Sequence, residues 1–479
     1  MNAADLTPVM LDILLVFAGL TVVLIDTLMP AGKKRALGHL TALLLTGLFL
    51  LTFVVDAEGV AFGGTYVGDA WAMFFKRVFF ASGALVALGG LDYVDRNFPL
   101  RQGEFAVMLI ASILGMSLLA GARDLILLMV CFELMGIPLA VMAGFGKNEQ
   151  KTGPDRQGAE AALKLYVISA ASSAITLFGL SLVFGMAGST KIAEIALAPT
   201  SPLLMVGVLA TVAGMSFKIG AVPFHMWIPD TYQGAPTPFV AFLSVAPKAG
   251  GFAALALVLL RGFGAHHAQW MPAFLALIVV TLLLGNLMAL PQTNAKRLLA
   301  YSGIAQMGYL LMPLAIGTEK GAAVLLFYLA GYTVTNIGAF LVLHAVTANE
   351  PDATIASFAG LWHRAPGLAL ALLIFLLSLA GIPFVVGFWA KLYVFMAVYE
   401  AGQGWLVFLG ALLAVLALFY YLRVARAAYF DAPTSDAPIP VGTGLKVAIG
   451  ACLGAVVLMG LWPGPFVESA RAAARAFMG

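Results

Sequence analysis

The chain has 479 residues, of which 62% are apolar and 10% charged, with 26 Lys+Arg against 23 Asp+Glu and a net charge of +3; its mean hydropathy is +0.99. An ordinary soluble domain carries roughly 25% charged residues, so these numbers exclude a soluble globule, a disordered chain, collagen and a coiled coil, and the small net charge argues against a nucleic-acid partner. An integral membrane protein remains, with enough apolar residues for up to roughly 15 spans of about 20 residues each.

Apolar runs separated by short polar breaks predict an all-α membrane protein of about fourteen spans, at 7–29, 37–55, 70–91, 104–121, 124–145, 160–187, 203–228, 236–261, 271–290, 298–317, 321–347, 366–399, 403–429 and 444–462. A β-barrel is excluded, because the runs are not alternating segments of roughly ten residues. The start, Met1-Asn2-Ala3-Ala4-Asp5, lacks a basic region, and the first apolar run is long enough to span, so no cleaved signal peptide is expected. Cys131 and Cys452 stand alone in apolar runs, with no CxxC, no GxGxxG and no GxxxxGK[ST], which gives no case for an iron–sulfur, zinc or nucleotide site.

Charge in the loops orients the bundle, since Lys and Arg concentrate on the inner side. With the N-terminus outside, the inner loops and adjoining span ends hold Lys33, Lys34, Arg35, Arg96, Arg101, Lys147, Lys151, Arg156, Lys296, Arg297, Arg364, Arg423, Arg426 and Lys446. The outer side holds Arg123, Lys191, Arg261, Lys320, Arg471 and Arg475, and the loop at 56–69 carries Asp56, Glu58 and Asp69 without a base. Both termini are therefore expected outside.

Two spans share a pattern. Gly220, Pro223, Phe224 and Trp227 interrupt span 7, and Gly381, Pro383, Phe384 and Trp389 interrupt span 12. Proline removes a helix hydrogen bond and clashes with the preceding turn, and backbone freed at that depth is tolerated only against protein or a water-filled cavity. An offset of five spans inverts the second copy relative to the first, and paired broken helices in inverted repeats mark a transport site. A chance Gly–Pro kink is the competing reading for either span alone.

A charge at mid-bilayer costs at least about 2.5–3.5 kcal/mol, yet Glu133, Lys164, Lys218, Lys248 and Lys391 stand inside spans. For Lys164, one turn into span 6, a long stem reaching the headgroups explains the residue as well as a functional role does. The same snorkelling is the expected state of Lys76 and Arg77 in span 3, while Asp12 and Asp26 in span 1 are expected to cap a helix or face a partner helix. Lys218, Lys248 and Lys391 lie about eight or more residues from either surface, too deep to snorkel easily, and Glu133 has too short a stem. Low polarity makes an ammonium costly and a nearby carboxylate stabilises it, so buried lysines with one movable glutamate form a proton relay; a purely structural pairing of Glu133 with one lysine is the alternative.

Neutral polar residues fit a hydrated path. Ser302, Gln306 and Tyr309 share one face of span 10, and Tyr328, Tyr332, Thr335 and Asn336 one face of span 11; interhelical hydrogen bonding is the bland reading of each. His225 at the span 7 interruption is a titratable candidate, with a structural hydrogen bond as its simpler role. The stretch after Pro465 separates apolar residues from Arg471 and Arg475 by helical period and is expected along the membrane surface or a neighbouring subunit.

The stretch from Ser216 through Lys218, Pro223, His225, Trp227, Pro229, Asp230, Gly234 and Pro236 to Pro238 resembles the proton-translocating, antiporter-like membrane subunits of NADH-quinone oxidoreductase, respiratory complex I. The continuation Phe242 to Lys248, the run Gln292 to Ser302, Gly381-Ile382-Pro383 leading to Lys391, and Tyr420-Tyr421-Leu422-Arg423 resemble its subunit N branch. The resemblance covers essentially the whole chain. It implies two inverted five-helix repeats, with helices 1–3 at 1–103, the first repeat at 104–261, the second at 262–430, and helix 14 with an amphipathic tail at 431–479. It further implies that Glu133, Lys164, Lys218, Lys248 and Lys391 transfer protons in a non-redox subunit of a translocase. No cofactor is expected in this chain; FMN, iron–sulfur clusters and quinone belong to partner subunits. Partners would be other membrane-arm subunits, including neighbouring antiporter-like ones, in the lipid bilayer of a bacterial inner membrane. Ala390 stands where the family usually has glycine. A subunit of a cation/proton antiporter and a structural scaffold without an ion path are the alternatives.

Overall fold

The computed structural model describes residues 3–146, 156–348, 353–433 and 437–479; Met1, Asn2, Lys147 and Lys151 of the readings above lie outside them. The described residues form α1 (Met10–Leu28), α2 (Arg35–Leu51), a hairpin of β1 (Gly59–Ala61) and β2 (Tyr66–Gly68), then α3 (Ala70–Gly89), α4 (Leu91–Asn97), α5 (Gln102–Gly121), α6 (Leu125–Ala143), α7 (Arg156–Ala187) and α8 (Ile192–Ile195). There follow α9 (Pro202–Ile219), α10 (Trp227–Gly234), α11 (Thr237–Leu243), α12 (Ala246–Ala256), α13 (His267–Ala289), α14 (Ala295–Ala315), α15 (Glu319–Thr347) and α16 (Leu361–Arg364). The last are α17 (Pro366–Ala380), α18 (Val386–Glu400), α19 (Gly404–Phe430), α20 (Thr443–Leu461) and α21 (Gly464–Met478).

Among these residues, 12 helical stretches are long and apolar enough to cross a membrane, against the fourteen expected. The difference has a local cause. The run at 37–55 is helical over the 17 residues of α2, about 26 Å at 1.5 Å per residue, short of a hydrocarbon core about 30 Å thick. The run at 366–399 divides into α17 and α18, 15 residues each. α17 stops because Gly381 takes the left-handed conformation at φ 89°, a helix ending that favours glycine. α9 stops the same way at Gly220, φ 75°, and helix resumes at Trp227.

Side chains cap several helix starts. Asp69 Oδ1 accepts from the Ala72 N–H at 2.8 Å, Asp124 Oδ1 from Ile126 and Leu127, and Asn294 Oδ1 from Arg297; Ser201 caps α9 ahead of Pro202. Each satisfies an N–H the helix leaves orphaned.

Burial separates an inner group from an outer shell. The apolar core segments of Thr237–Gly262 and of α14 are buried throughout, whereas most of the α19 core segment is not. α15 packs on α11, α14, α17, α18, α20 and α21. The lysines of interest stand on or against this inner group.

The C-terminal helix packs on its own chain. Its apolar face, with Ala470, Ala473, Ala474 and Phe477 buried, is covered by α3 and α15 of this same chain, so it is not free for a neighbour. Phe477 stacks on Trp71 at 4.0 Å between ring centroids, and Arg475 faces Glu319 at 3.6 Å. Trp71 opens α3, next to β2, and the N-terminal turn at 3–9 packs on the same hairpin. Both ends of the chain thus meet at one end of α3.

Lys76 departs from expectation. It does not snorkel: its side chain is buried and its ammonium donates to Asp12 Oδ2 at 2.5 Å. The Asp12 carboxylate also accepts from Ser117 Oγ at 2.5 Å and Tyr66 Oη at 3.2 Å. A carboxylate within reach, itself hydrogen-bonded, compensates the buried ammonium where it stands. Asp12 faces partner helices as expected. Arg77 reaches the end of α2, donating to Thr52 O at 2.9 Å, and Asp26 pairs with Lys34 at 2.8 Å.

Candidate functional site

Glu133 projects half-buried from α6 toward α7, where the Ser173 hydroxyl donates to its Oε1. Lys218 stands in the last turn of α9, buried, and its Nζ donates to Ser169 Oγ at 3.0 Å. Ser169 and Ser173 are one turn apart on α7, so a single helix face holds both charged groups. The Lys218 ammonium lies 5.0 Å from the Phe132 ring centroid, and a side chain on Gly136 would collide with it. Glycine at 136 thus lets α6 accept the ammonium one turn beyond Phe132. Among the described residues Glu133 and Lys218 make no direct ion pair; each bonds its own serine on α7.

Lys248 is 0% exposed. It follows Pro247 at the start of α12, and among the described residues its Nζ has no hydrogen-bond partner. The Tyr232 ring lies 5.8 Å away. The interruption between α11 and α12 leaves Ser244 to the neighbouring helix: Tyr332 Oη donates to Ser244 O at 3.3 Å and Asn336 Nδ2 to Ser244 Oγ at 2.7 Å.

Lys391, on α18, donates to Leu379 O and Ala380 O, each at 2.9 Å. These carbonyls belong to the last turn of α17, where a helix ends with unsatisfied acceptors and a negative dipole end. The neighbouring carbonyls of Leu377 and Ser378 are already taken by the Gly381 and Ile382 N–H groups. The stop at Gly381 therefore makes the ammonium site. Gln306 Nε2 donates to the same Leu379 O at 2.9 Å and to Tyr421 Oη at 3.3 Å. Ser302 and Tyr421 hydroxyls are 2.5 Å apart, and Tyr328 Oη donates to Gln306 Oε1 at 2.6 Å. Ser302 and Gln306 thus join Lys391 in one network. The Tyr309 ring faces Lys391 at 4.8 Å, while its hydroxyl donates to Gly410 O.

Lys164 lies apart from Glu133. Its ammonium pairs with Glu160 and with Asp230, both at 2.6 Å, and its side chain is 38% exposed. Asp230 on α10 also takes Arg297 of α14 at 2.7 Å. His225 is half-buried between α9 and α10. Ser169, Ser173, Ser244 and Tyr421 were not singled out from sequence as site residues. The available signal was the Ser169/Ser173 spacing of four in an apolar run, which puts both hydroxyls on one face.

The arrangement is a row of three buried lysines, each held by neutral acceptors or by none, with one carboxylate at its α6 end. The sequence model of the family described as "NADH:quinone oxidoreductase/Mrp antiporter, TM" matches residues 122–417, which contain all of them. The chain is 40% identical over 474 residues to the NADH-quinone oxidoreductase subunit N of Desulforamulus reducens, covering 98% of each chain. It superposes on a chain of respiratory complex I from Thermus thermophilus, solved with bound aureothin, with a TM-score of 0.83, 30% identity and coverage of 96% of this chain and 99% of that one. A chain of the Mrp complex from Dietzia sp. shares the fold at a TM-score of 0.85 with 19% identity, covering 100% of both. On the strength of matches that run the length of the molecule and include every buried lysine of the row, the chain belongs to the antiporter-like membrane subunits of NADH-quinone oxidoreductase, in the subunit N family.

Proposed function

We propose that the chain is a proton-translocating subunit in the membrane arm of an NADH:quinone oxidoreductase, driven by quinone reduction elsewhere in the complex. The row Lys218, Lys248 and Lys391, buried at helix interruptions, with Lys218 and Lys391 held by uncharged groups and Lys248 by none among the described residues, carries this reading. In it, Glu133 attracts a proton onto Lys218 when the two approach and releases it when they part, with Ser169 and Ser173 as intermediaries. The proton passes by way of Lys248 to Lys391. Lys164, held on Asp230, and His225 serve the inner approach, and Ser302, Gln306, Tyr309, Tyr332 and Asn336 line the path.

The same reading counts α2 as span 2, α9 with α10 as one broken span 7, and α17 with α18 as one broken span 12, giving fourteen spans, of which spans 4–8 and 9–13 form two inverted repeats at 104–261 and 262–430. Both termini then face the outer side of a bacterial plasma membrane, in keeping with their meeting at one end of α3. Redox cofactors reside in partner subunits, and neighbouring antiporter-like subunits flank the chain. The 40% identity to a subunit N against 19% to an Mrp chain favours this reading over a cation/proton antiporter.

The test is Lys218→Ala and Lys391→Ala in the assembled complex, in membrane vesicles. With complex content and NADH:ferricyanide activity at wild-type level, proton uptake is expected to fall by about a hundredfold, the order typical of a lost proton-transfer group. Wild-type uptake in both variants would refute the proposal.

A further inference from the structure

Arg77 stands on the outward side of α3. The partly exposed positions of that helix recur at Met73, Arg77, Ala81 and Leu85, four apart and so on one stripe, while Lys76 and the rings of Phe75 and Phe79 point inward. Beside the stripe, α2 exposes Leu43 and Leu50, and Phe53 and Val54 just past its end are 60% and 83% exposed. This is an apolar surface with one cation in it. Arg77 is the eighth of the 20 residues of α3, about 11 Å along the helix from its first, where a charge facing lipid is costly without a partner.

The guanidinium is anchored on one side only. Nη2 donates to Thr52 O at 2.9 Å, Nε donates to Thr52 Oγ1 at 3.3 Å, and the Phe53 ring centroid lies 4.5 Å away. Arginine has five N–H donors, so three remain, and among the described residues Arg77 forms no ion pair. The nearby carboxylates serve other cations: Asp12 holds Lys76, and Asp69 holds Arg123. The end of α2 does not use up the charge either, because the carbonyls of Leu48 to Leu51 already accept from the N–H groups of Thr52 to Val55. The same place is where α2 falls short: its 17 residues span about 26 Å of a hydrocarbon core about 30 Å thick. A short apolar span is met by local thinning of the bilayer, which brings headgroups down to the level of Thr52.

We propose that Arg77, with Thr52 and Phe53, binds the phosphate of a membrane phospholipid drawn in at the short end of α2, on the hairpin side of the bundle. The free edge of a planar guanidinium matches two phosphate oxygens. A ligand with an anionic head and apolar tails fits a cation at the top of an apolar surface, its chains lying along Leu43, Leu50 and Ala81; a free anion would leave that surface uncovered. The site is separate from the lysine row and does not depend on the proton-path reading.

The test reconstitutes the assembled complex in phosphatidylcholine vesicles containing a small share of phosphatidylcholine with a diazirine on the first carbons of one acyl chain. After irradiation, mass spectrometry measures cross-links on the peptides covering 43–54 and 73–85, with the exposed Phe408 and Phe419 of α19 as the reference for ordinary lipid contact. Arg77→Gln, which retains a donor for Thr52 but no charge, is expected to lower the yield beside Arg77 about tenfold, the worth of a charged hydrogen bond, and to leave α19 unchanged. Arg77→Lys, which keeps the charge without the fork, is expected to fall between the two. Equal yields in wild type and Arg77→Gln overturn the proposal. So does an absence of cross-links beside Arg77 in wild type with normal yield on α19, which means that a neighbouring subunit covers the surface. Replacing half of the unlabelled phosphatidylcholine by a galactosyl diacylglycerol, which has no phosphate, halves the competitor and is expected to about double the yield beside Arg77 relative to α19 by mass action; an unchanged ratio shows that phosphate is not recognised and overturns the proposal. Excess inorganic phosphate is expected to leave the yield unchanged, and loss of the cross-link on adding it assigns the site to the free ion instead. Should Arg77→Gln reduce the amount of complex, the galactolipid exchange on the wild-type complex decides alone.

Discussion

Replacing Lys76 by methionine tests whether a charge inside this bundle is structural. The Lys76 and Asp12 side chains are 2% and 4% exposed and 2.5 Å apart. Lys76→Met keeps the volume of the stem and removes the ammonium, leaving the Asp12 carboxylate buried with only the neutral donors Ser117 and Tyr66. Breaking a buried pair from one side costs about 3–5 kcal/mol, a large share of a folding margin of about 5–15 kcal/mol. Removing both charges, with Asp12→Leu and Lys76→Met together, costs little, since an apolar pair of similar size often replaces a buried ion pair at no loss. The single variants are therefore expected to melt at clearly lower temperature and to yield less assembled complex, and the double variant to recover most of both. The assay is a double-mutant cycle on melting temperature and on complex content in native gels. Proton uptake per NADH oxidised by the complex that does assemble should equal wild type, because the pair touches none of the lysines in the row. A Lys76→Met complex that melts like wild type, or a double variant no better than the single ones, would refute this account of the pair.

Other consequences can be checked on the same complex. Glu133→Gln keeps the Ser173 hydrogen bond and loses the charge, so proton uptake should fall by about a hundredfold while complex content holds; unchanged uptake would count against the relay. Phe477→Ala removes a ring that is 1% exposed and stacked on Trp71. At about 3–5 kcal/mol for a buried Phe→Ala change it should free α21 and speed tryptic cleavage at Arg471 and Arg475. Gly387→Ala would drive a methyl group into the Ser378 carbonyl, and because that obstacle is backbone, α17 and α18 must part and assembled complex should drop. Asp230→Asn removes the partner of Lys164 and Arg297, but these side chains are 28–38% exposed, so solvent screening limits the cost to about 1 kcal/mol and the melting shift should be small.

The spans were legible because length and hydropathy are local properties of a sequence, and twelve of the expected runs coincide with helices long enough to cross. The stops at Gly220 and Gly381 were legible because glycine and proline act on their own backbone. The lysines Lys218, Lys248 and Lys391 stood out because an ammonium in an apolar run is costly wherever it lies. What remained hidden depends on contacts far apart in the chain. Asp12 and Lys76 are 64 residues apart, and a rule that penalises each charge cannot tell that they meet. Ser169 and Ser173 look like serines that bond their own helix, and only the packing of α6, α7 and α9 turns them toward Glu133 and Lys218. The partners, once seen, sort the charges by a physical criterion. Lys76 faces a buried carboxylate, so losing its proton would strand a negative charge in the bundle. Lys218 is held by a serine, Lys391 by two carbonyls, and Lys248 by nothing among the described residues. None of the three is directly paired with a carboxylate in the described residues, and on the proposed proton path that is what separates them from Lys76.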